Sequence, residues 1–349
     1  MEYITAKEAA SNWGIPQSEV EKLCIANEIE NAATLNEMWI IPKNTIRPLN
    51  AGEVFRMKPF LKWAGGKGQL IKEIERYYPF KSMKVTKYAE PFVGGGAVLF
   101  DILNKYQLKE VYISDTNAEL INTYHIIKDN INELIVCLQN IQNDYLPLEE
   151  ENRKKYYMNK RERFNSLKVN GDESVNLEKA ALMIFLNKTC FNGLFRVNRK
   201  GLFNVPVGNY KKPLICDNDN LIAISKKLQN VTIVCGEYCK AEDFIDANTF
   251  VYIDPPYRPL TQTSSFTAYT ENSFNDDDQI ALAKFIDRLN EKGAKIVASN
   301  SDPKNSDADD DFFDNLYAKY NIKRVQASRM INRNSNGRGK VNELLITNF

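Results

Sequence analysis

The chain has 349 residues, of which 43% are hydrophobic and 26% are charged, and its formal net charge is +1. This length suits two or three modules, and the composition is ordinary for a soluble globular protein. No run of 18 apolar residues occurs and the first residues lack the pattern of a signal peptide, so we expect no membrane span. The only histidine, His125, nearly excludes chemistry that needs a histidine base or several histidine metal ligands. The six cysteines are scattered, which predicts no zinc site and favours reduced thiols in a cytoplasm.

Residues 1–50 are predicted to form a small module that contains two helices. Each helix is expected to begin at a capping box, in which two side chains satisfy backbone N–H groups of the first turn. The first box pairs Thr5 with Glu8, and the second pairs Ser18 with Glu21.

A helix break and a strand complete this module. Gly14-Ile15-Pro16 separates the two helices, and Met38–Pro42 has the pattern of a short strand. The order resembles the small winged helix-turn-helix units of bacterial regulators and excisionases. Seven Glu against four Lys or Arg argue against strong phosphate binding, which leaves open both DNA contact and a packing or protein-binding role. Pro48–Gly52 is the predicted linker to the rest of the chain.

Beyond about residue 58, short apolar runs alternate with amphipathic stretches such as the helix predicted for Asp277–Asn290. This alternation predicts an α/β fold with a largely parallel sheet. Residues 117–212 break the rhythm and are mostly helical in pattern, so we expect an insertion beside the sheet. The predicted strands are Val111–Ser114, Val231–Val234, Phe250–Ile253, Ala294–Ala298 and Leu344–Ile346.

A glycine turn lies between the predicted strand Val85–Ala89 and the helical run Ala97–Leu103. The turn is Glu90-Pro91-Phe92-Val93-Gly94-Gly95-Gly96, and Asp115 ends the next strand, 19 residues after Gly96. A strand, glycine turn and helix let a ligand approach the backbone, and an acid at the next strand tip suits hydrogen bonds to ribose hydroxyls. The turn lacks the G-x-G-x-x-G pattern, which disfavours a dinucleotide.

Trp63-Ala64-Gly65-Gly66-Lys67 is similar to a phosphate loop, but Gly68 follows the lysine and the P-loop spacing is absent. An amino-acid-bearing nucleoside such as S-adenosylmethionine fits better. In this interpretation Lys67 holds the carboxylate of the ligand and Trp63 packs on its apolar parts. The alternative is that Trp63 is a buried anchor and Lys67 a surface charge.

Asp254-Pro255-Pro256-Tyr257 directly follows the apolar run Thr249–Ile253. The carboxylate accepts hydrogen bonds. Because the two prolines carry no N–H, the backbone carbonyls of this segment are not used in local turn hydrogen bonds and can also act as acceptors. The tyrosine offers a flat face for stacking. This set suits the exocyclic amino group of a planar base, whereas the alternative is an ordinary strand-ending turn.

Two basic segments occur in this nearly neutral chain. Residues 188–212 and residues 323–340 each hold six Lys or Arg and no carboxylate. They predict a local surface for a polyanion, with a solvated face as the alternative. The acidic residues between 307 and 314 are predicted to form a solvated loop or a helix start.

Residues 59–349 closely resemble the DNA adenine methyltransferases of the Dam type. The resemblance implies a Rossmann-like, mostly parallel methyltransferase domain at 56–349, with a mainly helical target-recognition insertion at 117–212. The helix-turn-helix-like module at 1–50 falls outside it. The motifs occur in family order: Phe60–Lys67, Glu90–Gly96, Ser114-Asp115, Asp254–Tyr257, Ser265–Tyr269, Ser299–Asp302 and Asn336–Leu345. The implied cofactor is S-adenosylmethionine, and the candidate cofactor contacts are Trp63, Lys67, Glu90, Phe92, Gly94, Asp115 and Asp254.

The segment from Asn187 to Pro213 is similar to the recognition hairpin of this family, and members that carry the hairpin commonly read GATC. Its glycines allow tight turns, its cations meet phosphates, and Arg and Asn side chains read guanine and adenine edges. Phe191 stands where an aromatic residue can press on the base stack. The candidate DNA contacts are Lys62, Phe191, Asn192, Leu194, Arg196, Asn198, Pro206 and Tyr210.

The predicted activity is transfer of a methyl group from S-adenosylmethionine to adenine N6 of duplex DNA, at GATC, after the adenine rotates out of the helix. The catalytic candidates are Asp254, Pro255, Pro256 and Tyr257. Asp254 and the Pro255 carbonyl accept the two amino hydrogens, and Tyr257 stacks on the base. Direct in-line transfer needs neither a covalent enzyme intermediate nor a metal.

Other substrates and another class of protein stay open at this point. The methyl acceptor could be cytosine N4, an RNA base or a glutamine side chain, and the chain could be a DNA-binding regulator with an inactive methyltransferase-like domain. The predicted partners are double-stranded DNA and a cognate restriction endonuclease. The predicted location is a cytoplasm of bacterial or phage type, in association with the nucleoid.

Overall fold

The computed structural model describes residues 2–13, 15–43, 45, 56–63, 65–170, 174, 176–258, 274–328 and 340–349; for residues 168–170, 328 and 340 it describes the backbone alone. Within these ranges, no helix is both long and apolar enough to cross a membrane. The motif Ser265–Tyr269, the predicted linker Pro48–Gly52 and residues 329–339, which include 336–339 of the last motif, lie outside the described residues, as do Gly14 and Ala64.

The N-terminal module has its own three-stranded antiparallel sheet, in the order β1-β3-β2. Its buried residues include Ala9, Val20, Leu23 and Ile41, which form a cluster separate from the other hydrophobic cores. The elements are β1 (Tyr3–Thr5), α1 (Ala6–Trp13), α2 (Gln17–Ile25), β2 (Ala33–Leu35) and β3 (Met38–Pro42). The two helices and the last strand match the prediction, whereas β1 and β2 were not predicted.

The first predicted capping box is present and the second is wrong. Glu8 Oε2 accepts a hydrogen bond from the Thr5 backbone N–H at 2.8 Å, and the Glu8 N–H donates to Thr5 Oγ1 at 3.2 Å. Helix α2 instead begins at Gln17, after Pro16, and its N-terminus has no side-chain cap. Ser18 is therefore already inside the helix, where it cannot act as the N-cap residue.

A seven-stranded sheet forms the centre of the rest of the chain, in the order β6-β5-β4-β7-β8-β10-β9. The first five strands in this order are parallel, and β10 pairs antiparallel with both β8 and β9. The strands are β4 (Lys87–Glu90), β5 (Glu110–Asp115), β6 (Val231–Cys235), β7 (Thr249–Ile253), β8 (Lys295–Ser301), β9 (Asn321–Ser328) and β10 (Lys340–Thr347). The mostly parallel, Rossmann-like sheet is confirmed, and β9 is a strand that the apolar pattern did not reveal.

Helices flank the sheet and also form most of the segment between β5 and β6. They are α3 (Ile71–Glu75), α4 (Ala97–Lys105), α5 (Ala118–Asp129), α6 (Ile131–Tyr145), α7 (Glu150–Asn170), α8 (Asn176–Thr189), α9 (Asn218–Leu228), α10 (Asp276–Glu291) and α11 (Phe312–Leu316). Short 3-10 helices occupy Lys67–Gln69, Pro79–Lys81, Phe191–Gly193, Tyr238–Ala241 and Pro303–Asn305. His125 lies in an apolar stretch of sequence, which predicts a helix residue near the core, but it is on the exposed side of α5 and its side chain is 47% exposed.

The two faces of the sheet bury different clusters, because successive side chains of a strand point to opposite faces. Tyr88, Tyr252 and Leu345 pack on the face covered by the helices of the segment between β5 and β6. Ala89 and Ile253 pack on the other face, against α10. Polar side chains at the carboxyl ends of the strands therefore project to one face or the other by the same alternation.

Candidate active site

The sheet reverses its strand order between β4 and β7. From β4 the chain proceeds to β5 and β6 on one side, whereas β7 and β8 lie on the other. β4 and β7 are parallel neighbours, with Tyr88 opposite Phe250 and Ala89 opposite Val251. In open α/β sheets, ligands bind in the crevice outside the carboxyl ends of the strands at such a switch point. The segments 91–96 and 254–257 leave these two strand ends and so flank one crevice.

The Asp254 carboxylate, just beyond β7, binds one cation and one hydroxyl. Its Oδ2 lies 2.8 Å from Lys67 Nζ, and its Oδ1 accepts a hydrogen bond from Ser299 Oγ at 3.0 Å. Because the single Ser299 hydroxyl hydrogen points to Asp254, Tyr252 donates to Ser299 across 3.0 Å. Burial raises the pKa of Asp254 above its ordinary value, while Lys67 and Ser299 favour the ionised form and oppose the rise.

Lys67 is a buried ammonium, with a side chain that is 4% exposed. It donates to the Gly65 carbonyl at 2.7 Å, lies 4.7 Å from the centre of the Tyr257 ring and lies 4.0 Å from Glu343 Oε2. The alternative of a surface charge is therefore wrong for Lys67. Its described contacts are to protein carboxylates, a carbonyl and a ring on the β7 side of the crevice.

The segment after Asp254 is held by side chains from other elements. Gln279 Nε2 donates to the Pro256 carbonyl at 3.2 Å, and the Tyr257 hydroxyl donates to Glu343 Oε2 at 2.6 Å. The Pro255 carbonyl accepts no hydrogen bond from the described residues. One carbonyl of the Pro-Pro pair thus has a donor within the protein, while the other has none in the part of the chain that the structure describes.

The glycine turn after β4 requires glycine at position 94. Gly94 has φ +48°, and a Cβ there would lie 2.8 Å from Trp63 Cδ1. The Gly94 N–H donates to Asp115 Oδ2 at 3.1 Å, and its carbonyl accepts from the Tyr124 hydroxyl at 3.1 Å. The turn therefore joins Trp63 and Asp115, two side chains that are far apart in the sequence.

Asp115 is the last residue of β5, as predicted, and backbone N–H groups already bind both of its oxygens. Oδ2 takes the Gly94 N–H, and Oδ1 takes the Asn117 N–H at 2.9 Å. Burial raises the pKa of this carboxyl, and the backbone donors oppose that rise. Each carboxylate oxygen still has a second lone pair with which to accept a ligand hydroxyl.

Two aromatic side chains border the turn. Trp63 stacks on Phe195 with ring centres 5.4 Å apart, and Phe92 stacks on Tyr238 at the same distance. Trp63 thus connects the glycine turn to the segment between β5 and β6. It is partly buried, so it retains an accessible edge.

Glu90, at the end of β4, is a buried carboxyl that accepts a hydrogen bond from the Tyr88 hydroxyl at 2.7 Å. Burial raises its pKa to about 8, with a further contribution from the negative charge of Asp254. Asp254 and Glu343 place two carboxylates within 4.0 Å of the Lys67 ammonium, whereas Glu90 is mostly protonated below about pH 8. Such an excess of acids favours a cationic ligand in this crevice.

Residues 63–331 match the family of the D12 class N6 adenine-specific DNA methyltransferases. The chain belongs to this family. A type II methyltransferase of Methanocaldococcus jannaschii, M.MjaIII, is 50% identical over 296 residues, which are 84% of this chain and 99% of the relative. A type II methyltransferase of Lactococcus lactis, M1.LlaDCHI, is 37% identical, with 84% and 96% covered. The DNA adenine methylase of Escherichia coli is 34% identical, with 82% and 94% covered.

The family identifies the chemistry as adenine-specific methylation of DNA. The prediction of an adenine-specific DNA methyltransferase is confirmed. The relatives give no support to cytosine, RNA or glutamine as the methyl acceptor, or to a regulator without catalysis. A family of this kind uses a methyl donor and a DNA substrate.

The segment of the methyltransferase that resembles a recognition hairpin is a hairpin in the structure. Its strands form antiparallel bridges between Cys190 and Val207 and between Val197 and Phe203. Asn187 joins its base to the opening motif, because the Asn187 side chain binds the backbone N–H and carbonyl of Lys62, at 2.8 Å each.

The DNA candidates on this hairpin fall into two groups. Lys62 lies 3.4 Å from the Tyr210 hydroxyl and against Gly193, and the Phe191 N–H donates to the Pro206 carbonyl, so these residues cluster at the hairpin base. Phe191, Asn192 and Pro206 are exposed and Leu194 is partly buried. Further along, the exposed Arg196 binds Asn204 at 2.8 Å, and Asn198 Oδ1 accepts from the backbone N–H groups of Lys200 and Leu202.

Part of the second basic segment, residues 323–340, is already paired with carboxylates of the protein. Arg324 binds Asp302 at 2.9 Å and Asp314 at 2.7 Å, and Lys323 lies 3.7 Å from Glu73. The acidic stretch 307–314, predicted to be a solvated loop or a helix start, contains the start of α11 and also supplies part of this pairing. Arg324 is therefore already paired with two carboxylates, whereas the Lys323 side chain is 47% exposed, and the polyanion surface of 323–340 stays a prediction.

Four side chains of the methyltransferase site were not among the predicted site residues. Tyr252, Ser299, Gln279 and Glu343 hold the Asp254–Tyr257 segment in place. Ser299 and Glu343 lie within the family motifs but had no assigned role. One sequence feature could have identified Glu343 as a site residue: it is a single acidic residue directly before the apolar run Leu344–Ile346 of a predicted strand.

The raised pKa of Glu90 predicts a pH-dependent stability. Between about pH 4.5 and pH 8 the folded protein retains a proton that the unfolded chain has released. The stability contribution is therefore fully present below pH 4.5 and is lost as pH rises to about 8, at roughly 1.4 kcal/mol per pH unit.

In thermal unfolding between pH 6 and pH 9, we expect the melting temperature of the wild type to fall as the pH rises. The melting temperature of Glu90→Gln should fall much less over the same range. Glu75→Gln, which alters a half-exposed acid paired with Lys105, should keep the wild-type slope; equal slopes for all three proteins would contradict the prediction.

Proposed function

We propose that the protein transfers a methyl group from S-adenosylmethionine to N6 of adenine in duplex GATC sites, and that the adenine is first rotated out of the helix. The observation that carries this proposal is the position of the Asp254–Tyr257 segment beside the glycine turn at the switch point of the sheet. The family supports adenine and DNA, and the geometry supports a cationic nucleoside as the donor.

The residues of the crevice fit S-adenosylmethionine. When bound, this group supplies a methyl attached to a positively charged sulfur. At Gly94 a Cβ would collide with Trp63, so glycine lets the turn lie directly against the indole, and Asp115 retains lone pairs for ribose hydroxyls. Trp63 offers its ring to apolar parts of the ligand. We further assign Lys67, Glu90, Phe92 and Asp254 to this set.

The target amino group is assigned to Asp254 and Pro255. Two of the roughly four lone-pair sites of the Asp254 carboxylate are used by Lys67 and Ser299, which leaves acceptor capacity for an N–H. The Pro255 carbonyl would accept the second N–H. Both bonds draw the nitrogen lone pair out of conjugation with the purine ring. The nitrogen would then form a bond to the methyl carbon by direct in-line transfer as the carbon–sulfur bond breaks and a neutral thioether leaves, aided by alignment and by the buried charges; the methylated nitrogen would release one of its two protons to solvent.

Tyr257 is assigned to stacking on the extruded adenine. Lys67 Nζ lies over the Tyr257 ring, and we place the adenine on the opposite face. Rotation out of the duplex costs on the order of a few kcal/mol, and an aromatic partner recovers about 1–3 kcal/mol. Pro256 keeps the chain extended between Asp254 and this ring.

The hairpin is assigned to recognition of GATC. Arg196 and Asn198 are side chains of the kinds that read guanine and adenine edges, and both are exposed. The cluster of Lys62, Tyr210 and Phe191 at the hairpin base would meet the backbone and the stack at the extruded adenine. Asn192, Leu194 and Pro206 complete the proposed DNA contacts.

The chain is proposed to divide into a module at 1–50 and a methyltransferase domain at 56–349 that contains the recognition insertion at 117–212. The separate hydrophobic cluster of the N-terminal residues supports the first boundary, as does a family match that begins at residue 63. Helices α5 to α8 support an insertion that is mainly helical.

The test is expression in cells without adenine methylation. Their DNA should become resistant to a nuclease that cuts only unmodified GATC, and nucleoside mass spectrometry should detect N6-methyladenine. N4-methylcytosine instead would refute the assignment of the base, and methyladenine outside GATC would refute only the site. A binding experiment with S-adenosylmethionine and the purified protein tests the donor.

Two relatives are named type II methyltransferases, which supports a cognate restriction endonuclease as a partner of this enzyme. In this role the methyltransferase would protect chromosomal DNA and act at the nucleoid. Coexpression with an endonuclease that cuts GATC should then be tolerated only when the methyltransferase is active.

A further inference from the structure

Glu343 is a carboxylate in a strand whose next three residues, Leu344 to Ile346, are buried and apolar. Its side chain is only 18% exposed. A carboxylate is costly to bury unless it is paired, so its partners must explain its presence. These partners are the Tyr257 hydroxyl at 2.6 Å and, more distantly, the Lys67 ammonium at 4.0 Å.

The strand register brings Glu343 into the crevice. Glu343 lies opposite Ser301, and Leu345 lies opposite Ser299, in the antiparallel pair of β10 and β8. Directly opposed residues share a face of the sheet, so Glu343 projects from the same face as Ser299, which binds Asp254. The last strand of the sheet thus contributes to a site otherwise built from β4, β5, β7 and β8.

The backbone at Tyr257 is held without Glu343. Proline at 256 fixes φ, Gln279 binds the Pro256 carbonyl, and Arg258 forms ion pairs with two aspartates at 2.6 and 2.7 Å. What Glu343 adds is a constraint on the ring, because its bond is to the hydroxyl at the far end of the side chain. With Lys67 over one face, the ring is then fixed in both tilt and direction.

We infer that Glu343 is a positioning residue for base extrusion, which acts through the Tyr257 hydroxyl to hold the ring that receives the target adenine. This inference rests on the proposed function, since it needs Tyr257 as the stacking partner. Glu343 itself touches neither the adenine nor the methyl donor in this assignment.

The first test is a double-mutant cycle on the rate of methylation under single-turnover conditions. Glu343→Ala and Tyr257→Phe should each lower the rate roughly tenfold to a hundredfold, as expected for loss of a hydrogen bond to a charged group. The double variant should be no slower than the single ones, because both remove the same bond. Glu343→Gln retains an acceptor and should recover most of the rate. Multiplicative losses would overturn the inference.

The second test reads the ring position without catalysis. A GATC duplex with 2-aminopurine in place of the target adenine should brighten when the wild-type protein extrudes the base, with part of the signal quenched by Tyr257. Glu343→Ala should raise the fluorescence of the complex by about twofold or more, since a loosely held ring stacks less well. Unchanged fluorescence would overturn the inference.

A matched control is available at a second tyrosine–carboxylate pair. Asp287 accepts from the Tyr320 hydroxyl at 2.7 Å and lies 2.8 Å from Lys319 Nζ, so it repeats the chemistry of Glu343 away from the crevice. Asp287→Asn should leave both the rate and the fluorescence unchanged. If the wild-type protein neither methylates adenine nor brightens the probe, the proposed function is refuted. If the wild-type protein does both and Glu343→Ala behaves in the same way, only this inference is refuted.

Discussion

Asp254→Asn is expected to lower the single-turnover rate of adenine methylation by at least about a hundredfold, as does removal of one preorganised group at a reaction centre in other enzymes. Asparagine has nearly the shape of aspartate but replaces one acceptor oxygen with a donor NH₂. Lys67 takes the remaining oxygen, because the ammonium can only donate. The NH₂ group then faces Ser299 and the incoming amino group, and the latter loses its acceptor.

Asparagine is the informative substitution because alanine would also disturb folding. Asp254→Ala leaves the buried Lys67 ammonium without its 2.8 Å partner, and breaking a buried pair in this way costs about 3–5 kcal/mol. We therefore expect Asp254→Ala to lower the melting temperature and Asp254→Asn to lower it less. Both should still shift duplex DNA in a gel, since the hairpin is unaltered.

The control for this prediction lies at the other end of the same strand. Asp246 lies 3.1 Å from Lys87 Nζ and accepts from the Thr249 hydroxyl at 3.1 Å, so it has the same kinds of partners as Asp254. Asp246→Asn should keep the wild-type methylation rate. If Asp254→Asn methylates at a comparable rate, the role assigned to Asp254 is wrong.

Local patterns predicted the elements of the site, but not how they assemble. The glycine turn, Asp115 and Asp254 each follow an apolar strand, and the strand pattern is visible in the sequence. The adjacency of β4 and β7 is not, because 158 residues separate Glu90 from Thr249 and the order of strands depends on long-range packing. The family resemblance implied a Rossmann-like, mostly parallel sheet, but the prediction from the sequence contained no order of strands.

The residues that sequence reasoning missed are those whose role depends on pairing across strands. Glu343 lies beside Ser299 in the crevice because β8 and β10 pair in one register, and a shift of β10 by one residue would turn Glu343 to the other face. Arg324 belongs to the basic segment predicted to meet a polyanion, but its guanidinium is already paired within the protein for a similar reason. The carboxylate partners of Arg324, Asp302 and Asp314, come from other parts of the chain. The charge of the local sequence alone therefore overstates how available the Arg324 guanidinium is to a polyanion.

The capping boxes show that even a short local pattern does not by itself predict where a helix begins. Thr5 and Ser18 have equally good sequence patterns, each with Glu three residues later. Only Thr5 is at a helix start, because Pro16 sets the start of α2 one residue before Ser18. Gln17 Nε2 instead donates to Glu21 at 2.8 Å, within the helix.

Gly94→Ala is expected to weaken binding of S-adenosylhomocysteine, an unreactive analogue of the donor, by at least roughly tenfold in calorimetry. A side chain at φ +48° costs on the order of 1–2 kcal/mol. The new Cβ would also lie 2.8 Å from Trp63 Cδ1, so either the indole or the turn must move. Movement of the turn breaks the Gly94 bonds to Asp115 and Tyr124, and with them the geometry proposed for the nucleoside.

Gly68→Ala is the matched control, because a Cβ at Gly68 meets no atom within 4 Å and its φ is not in the left-handed region. It alters a glycine next to Lys67 and should leave the affinity within about twofold of the wild type, as surface substitutions of this kind usually do. A Gly94→Ala protein that binds the analogue as the wild type does would show that the turn does not hold the nucleoside. Loss of affinity in both variants would instead place the binding determinant at Lys67 and its neighbours, since the indole of Trp63 is disturbed in only one of them.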